Sequence, residues 1–176
     1  MIAASSPGLA AVRELASAPA PQLTSSPPAS APVCDSASAL TMRAYLPNVT
    51  KTLGGPDGWD TPFYVQNAGA VQTTVESSFY RFSDGAFIAC HKRADLPPGA
   101  SLLDDPNADV DLPADTQFSV VVRSYGAPVA AVVHQLQGSG RTTQAASYSG
   151  FTVGATTVYL PNVTRRFYGY DVPFIV

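Results

Sequence analysis

With 176 residues, only 13% of them charged, and a formal net charge of -3, the chain has no basic stripe to neutralise phosphates and no polybasic segment for anionic lipid. Nucleic acid and membrane surfaces are thereby poor partners, and no apolar run reaches the roughly 18 residues of a membrane span. The length suits one domain with an appendage.

Residues 1–33 hold six of the sixteen prolines and are otherwise mainly Ala and Ser, whereas every aromatic residue follows Cys34. Residues 1–39 therefore read as an extended tail or linker, in which Leu9 to Ser17 could make a short turn of helix. The first residues lack the charged and long apolar regions of a signal peptide, so export has to be argued from other features. Cys34 and Cys90 are the only cysteines. They permit one disulfide that would pin the tail to the domain; two buried thiols are the other reading.

From Leu40 the pattern alternates, with Leu40, Met42, Ala44 and Leu46 set against Thr41, Arg43 and Tyr45, as in a strand with one buried face. Further strands are predicted over Pro62–Asn67, Val71–Phe82, Ala86–Lys92, Gln117–Ser124, Val129–Leu136, Gln144–Phe151 and Thr156–Leu160. Ser83-Asp84-Gly85 is the strongest hairpin signal, and Ser124-Tyr125-Gly126-Ala127-Pro128 separates two Val-rich runs that are expected to pair. Outside the tail no stretch sustains a helical period. Seven or so strands over about 110 residues predict an all-β fold, an immunoglobulin-like β-sandwich spanning 40–176.

The dominant sequence feature is a self-match. Tyr45-Leu46-Pro47-Asn48-Val49-Thr50 recurs letter for letter at Tyr159-Leu160-Pro161-Asn162-Val163-Thr164. After a connection three residues shorter, Gly58-Trp59-Asp60-Thr61-Pro62-Phe63-Tyr64-Val65 is answered by Gly169-Tyr170-Asp171-Val172-Pro173-Phe174-Ile175-Val176. Residues 159–176 are thus a partial repeat of 45–65, with a period near one domain length. In one reading the chain is a unit of a tandem array and its last strand pairs within its own sheet. In the other, a segment like the domain's own opening strand occupies that strand's place in the next molecule and builds a head-to-tail filament. The interface would then draw on Asp171, Pro173, Phe174, Ile175 and Val176 at one end and Leu40 and Met42 at the other, with main-chain pairing supplying affinity. The expected partner is another copy of the chain.

The stretch Pro62-Phe63-Tyr64-Val65-Gln66-Asn67-Ala68-Gly69, followed by Phe79-Tyr80, Asp84-Gly85 and Leu96-Pro97-Pro98-Gly99-Ala100-Ser101, resembles the adhesin-related β-sandwich repeats of prokaryotic cell-surface proteins. Such repeats often carry an Asn-x-Gly after the first strand and a Pro-Gly turn before a later one. The resemblance covers roughly residues 60 to 150 and implies a stalk, spacer or adhesive module without catalytic residues.

Other polar residues compete for a role. Asp105, Asn107, Asp109 and Asp111, preceded by Asp104, place oxygens at alternate positions as a calcium loop does, but without the sixth-position glycine and distal glutamate of an EF-hand; a solvated acidic turn is the alternative. Apart from calcium no cofactor is expected. Asn48 and Asn162 head N-glycosylation sequons inside the duplicated block. His91 reads as a strand-end surface residue, His134 as a strand residue, and Trp59, whose repeat counterpart is Tyr170, as a packing residue rather than a sugar-stacking one. No nucleophile and base are visible together, so no enzyme is expected. The sequence thus predicts a secreted or cell-surface structural subunit of a filament or surface layer, the alternative being an adhesin or carbohydrate-binding module that engages surface glycans.

Overall fold

The computed structural model describes residues 34, 39–138, 144–160, 163–169, 172, 174 and 175. The described residues form nine strands and no helix: β1 (Met42–Lys51), β2 (Trp59–Asp60), β3 (Phe63–Asn67), β4 (Thr73–Arg81), β5 (Phe87–Leu96), β6 (Ser101–Asp104), β7 (Thr116–Tyr125), β8 (Val129–Gln137) and β9 (Gln144–Ser149). One antiparallel sheet runs β1-β7-β4-β5; the second runs β2-β8-β3-β6, with β9 also paired to β8. No described helix is long and apolar enough to cross a membrane. The expected tail lies outside the described residues apart from Cys34 and Ala39.

Alternation builds the core, because successive side chains of a strand point to opposite faces. Phe63 and Val65 of β3 face inward between exposed Tyr64 and Gln66, and Phe118, Val120 and Val122 do the same on β7. Phe79 of β4 centres the cluster, 6.1 Å from the Phe63 ring and edge-on to Phe118 at 5.9 Å. Each such buried side chain contributes about 1.5–3 kcal/mol relative to exposure.

In β1 the alternation is interrupted by a bulge. Register slips between Leu46, opposite Val120, and Val49, opposite Phe118. Pro47 has no N–H to give a ladder, and a bulge is where a strand tolerates it. The bulge returns Val49 to the core after Leu46, so both are fully buried. Tyr148 of β9 braces it: its hydroxyl donates to Asn48 O at 2.8 Å and accepts from Asn48 N at 3.1 Å. Burial of that phenol pushes its pKa up to about 12. Just beyond, Phe151 exchanges both backbone hydrogen bonds with Tyr45, at 2.7 and 3.0 Å, so this side of the sandwich is closed by main chain.

Three expectations change. Ser124–Pro128 does not close a hairpin, since β7 and β8 lie in different sheets; the turn carries the chain across, at Gly126 (φ 131), where a Cβ would come within 2.9 Å of Gln72 O. Thr156–Leu160 is not a strand. β2 and β6 were not expected: β2 is two residues long and β6 hides between a Pro-Gly turn and the acidic run.

The Asn-x-Gly and Pro-Gly signals meet at one corner. Fully buried Asn67 donates from Nδ2 to Val71 O and Leu96 O at 2.8 and 2.9 Å and accepts from Gly69 N at 2.9 Å, while its own carbonyl receives Gly99 N at 2.9 Å. One side chain thus fixes the end of β3, the following loop and the end of β5.

Candidate functional site

The site most closely tied to the sequence is the second copy. In the first copy Leu46 and Val49 are 0% exposed, whereas Leu160 and Val163 are 43% and 51% exposed. No described residue of the second copy belongs to any of the nine strands. Yet its corner is formed. Thr61 N donates to Thr50 O at 3.1 Å in the first copy, and at the matched positions Val172 N donates to Thr164 O at 3.0 Å. Thr52 and its counterpart Arg166 both take left-handed backbone, at φ 46 and 54. The described residues of the second copy therefore repeat one hydrogen bond and one left-handed position of the β1–β2 segment, across a connection three residues shorter, without the sheet that segment joins in the first.

Of the expected interface residues, Asp171, Pro173 and Val176 lie outside the described residues, as does Asn162. Phe174 and Ile175 border a cleft of about 820 Å³ whose walls include Pro47, Leu53, Trp59 and Phe151. Leu40 is exposed just before β1, and Met42 packs against the core's edge. Neither lines that cleft. Half-buried Trp59 of β2 exchanges backbone bonds with Leu53 at 2.9 and 3.0 Å and presents its side chain to the cleft. Asn48 sits in the β1 bulge with its Oδ1 accepting from Gln117 Nε2 at 2.9 Å.

Cys34 and Cys90 are joined in a disulfide, with Cα atoms 5.7 Å apart. The bridge lies on the outer face of the first sheet, where Ser78 Oγ is 3.4 Å from Cys90 Sγ. Around it that face is polar and buried: Arg123 donates to Ser78 Oγ at 2.8 Å, and Tyr125 donates to Glu76 Oε2 at 2.9 Å. Burial, reinforced by that carboxylate, pushes the Tyr125 hydroxyl up to about 12. Neither Glu76 nor Arg123 stood out in the sequence. Their only signal was charge on a strand otherwise patterned for a core.

Three carboxylates of the acidic run have partners within the fold. Asp104 ends β6 and is buried between the sheets, where both its oxygens lie 3.0 and 3.1 Å from His91 Nδ1. Asp109 Oδ2 is 2.5 Å from Nε2 of the same ring, an ion pair when the imidazole is protonated. Asp105 and Asp109 each accept a backbone N–H two residues on, from Asn107 at 3.0 Å and Asp111 at 2.7 Å. No described trio of His, Cys, Asp and Glu is placed to hold a metal. His91 is thus not at a strand end: it stands half-buried in mid β5, its ring tilted against Phe79 with centroids 4.7 Å apart. β5 and β6 are the free edges of the two sheets, and this imidazole clamps them. The Asp104 hydrogen bond raises its pKa against the opposing effect of burial, with the charges of Asp104 and Asp109 adding to the rise. His134 is a strand residue as expected, edge-on to Tyr64 at 5.7 Å.

No protein-family model and no curated protein sequence matches the chain. Among solved structures it is similar to the Thermotoga maritima protein 1070, at 17% identity and a TM-score of 0.51, over 64% of this chain and 95% of that one. It is also similar to the Anabaena sensory rhodopsin transducer, at 21% identity and a TM-score of 0.41, over 55% of this chain and 97% of that one. At these identities the likeness to the Thermotoga maritima protein shows a common all-β fold and nothing of what this chain does.

Proposed function

We propose that the chain is a structural unit of an extracellular linear assembly, in which residues 159–175 supply the opening strands of the next sandwich. What carries this reading is the contrast between copies: the same six residues have two apolar side chains in the core at 45–50 and in solvent at 159–164. Exposed Leu160, Val163 and Phe174 are the counterparts of Leu46, Val49 and Phe63, all fully buried. A second sandwich would bury them. The disulfide fits an oxidising, extracellular setting, and the resemblance to prokaryotic surface repeats agrees with it.

The β1 place of the described sandwich is filled by its own residues 42–51. A neighbour's 159–164 therefore enters that place by exchange with an identical strand, a domain swap that costs little at equilibrium. Within a tandem array the same segment needs no exchange. Both routes use one joint.

Sedimentation and electron microscopy of the full chain beside Leu160→Asp and Phe174→Asp test the swapped form. Concentration-dependent fibres or oligomers from the parent, absent from both variants, are expected if separate molecules join. Monomers from all three at every concentration would eliminate joining between molecules. Fibres that survive both substitutions would contradict the joint itself.

A further inference from the structure

The cleft of about 820 Å³ beside the β1 bulge lies within the size range of small-molecule sites. It gathers five aromatic residues from separate places in the chain: Trp59 on β2, Phe82 after β4, Tyr148 on β9, Phe151 at the bridge to Tyr45, and Phe174 of the second copy. Phe82 and Phe151 are 41% and 55% exposed, so these rings are offered to solvent rather than used up in the core. The Tyr148 and Phe151 rings are nearly parallel, 23° apart with centroids at 6.5 Å, and make a continuous shelf.

The polar part of the lining narrows the ligand. Among the described residues lining the cleft there is no charged side chain, and the amides of Gln117 and Gln135 stand beside the rings. Gln117 is already oriented, its Nε2 bonded to Asn48 Oδ1 at 2.9 Å, which directs its carbonyl oxygen elsewhere. An anion or cation would find no countercharge here and would lose its hydration. A purely apolar ligand would strip water from the amides without replacing its hydrogen bonds. A ligand with a C–H face for the electron-rich rings and hydroxyls that both donate and accept satisfies the whole lining.

We propose that this cleft binds a neutral oligosaccharide, its sugar faces stacked on the Tyr148–Phe151 shelf and on Trp59, its hydroxyls bonded to Gln117 and Gln135. The site belongs to the body of the sandwich. Phe174 and Ile175 of the second copy complete its lining, so joining of the second copy to another unit would open that wall while Trp59, Gln117, Gln135, Tyr148 and Phe151 stay in place.

Trp59 is the chain's only tryptophan and reports on the cleft directly. Its emission is followed while the full chain is titrated with cellohexaose, maltohexaose and N-acetylchitohexaose, with hexagalacturonate as the charged counterpart and calorimetry to detect binding that leaves emission unchanged. The expected result is saturable binding of at least one neutral hexasaccharide, indifferent to salt and weakened at least about tenfold by Phe151→Ala and by Gln135→Ala, with the circular dichroism of both variants unaltered. Absence of saturable binding by all three neutral probes overturns the proposal. So does equal binding of hexagalacturonate, or affinity retained in Phe151→Ala.

Discussion

The two copies of Tyr-Leu-Pro-Asn-Val-Thr are a natural experiment in what six residues can specify. Both close with a 3.0–3.1 Å hydrogen bond, from position 61 or 172 back to position 50 or 164, although the second connection is three residues shorter. Only the first is a strand, because only the first has β7 along its edge and Tyr148 across its bulge. Turn geometry is local chemistry and travels with the sequence. A strand is a pairing, and does not.

The sharpest way to break this comparison is to make the same change in both copies. Leu46→Ala opens a cavity under a fully buried side chain and should cost about 2–5 kcal/mol in denaturant unfolding, whereas Leu160→Ala should change the sandwich by no more than about 0.5 kcal/mol. Equal losses would mean that the second copy is packed after all. Reduction of the Cys34–Cys90 bridge, which spans 56 residues, should lower stability by roughly 2–4 kcal/mol, read as a shift in the urea midpoint with and without reductant. Tyr148→Phe removes the brace that the first copy alone possesses, and should cost about 1 kcal/mol through loss of the hydroxyl's two bonds to Asn48.

The smallest effect concerns the opposite side of the sandwich. His91 has a raised pKa in the folded state, so the stability it contributes is complete below its unfolded value of 6.5 and is lost as pH rises through the folded value. Between pH ~5 and pH ~8 stability should therefore decline slightly, and His91→Gln should flatten that slope. Lys92 and Arg93 follow His91 on the same strand, and Lys51 donates to Leu112 O and Asp109 O. A parent slope unchanged in the variant would remove the clamp from the account.

Much of the frame was legible. Alternation in β1, β3, β7 and β8 fixed which face enters the core, and Ser83-Asp84-Gly85 did close the β4–β5 hairpin, with Gly85 at φ 71. What escaped was whatever depends on a distant partner. β2 is strand only because Gln137 and Leu136 lie opposite it. The Ser124–Pro128 turn carries the same residues as a hairpin turn, and only sheet stacking decides that it crosses instead. His91 looked solvated beside Lys92 and Arg93, since nothing local announces that Asp104, thirteen residues on, closes over it. The cleft was least legible of all, because its five aromatic residues are spread from Trp59 to Phe174 and no local spacing relates them.

The central claim, that residues 159–176 are the opening strands of a sandwich of this kind, is tested most directly by giving them one. In an extended chain carrying a second copy of residues 66–158 after Val176, hydrogen exchange at Leu160 and Val163 is compared with that at Leu46 and Val49. The two pairs are expected to become equally protected and the chain to unfold as two sandwiches. Leu160 and Val163 exchanging freely while the first sandwich stays intact would contradict it.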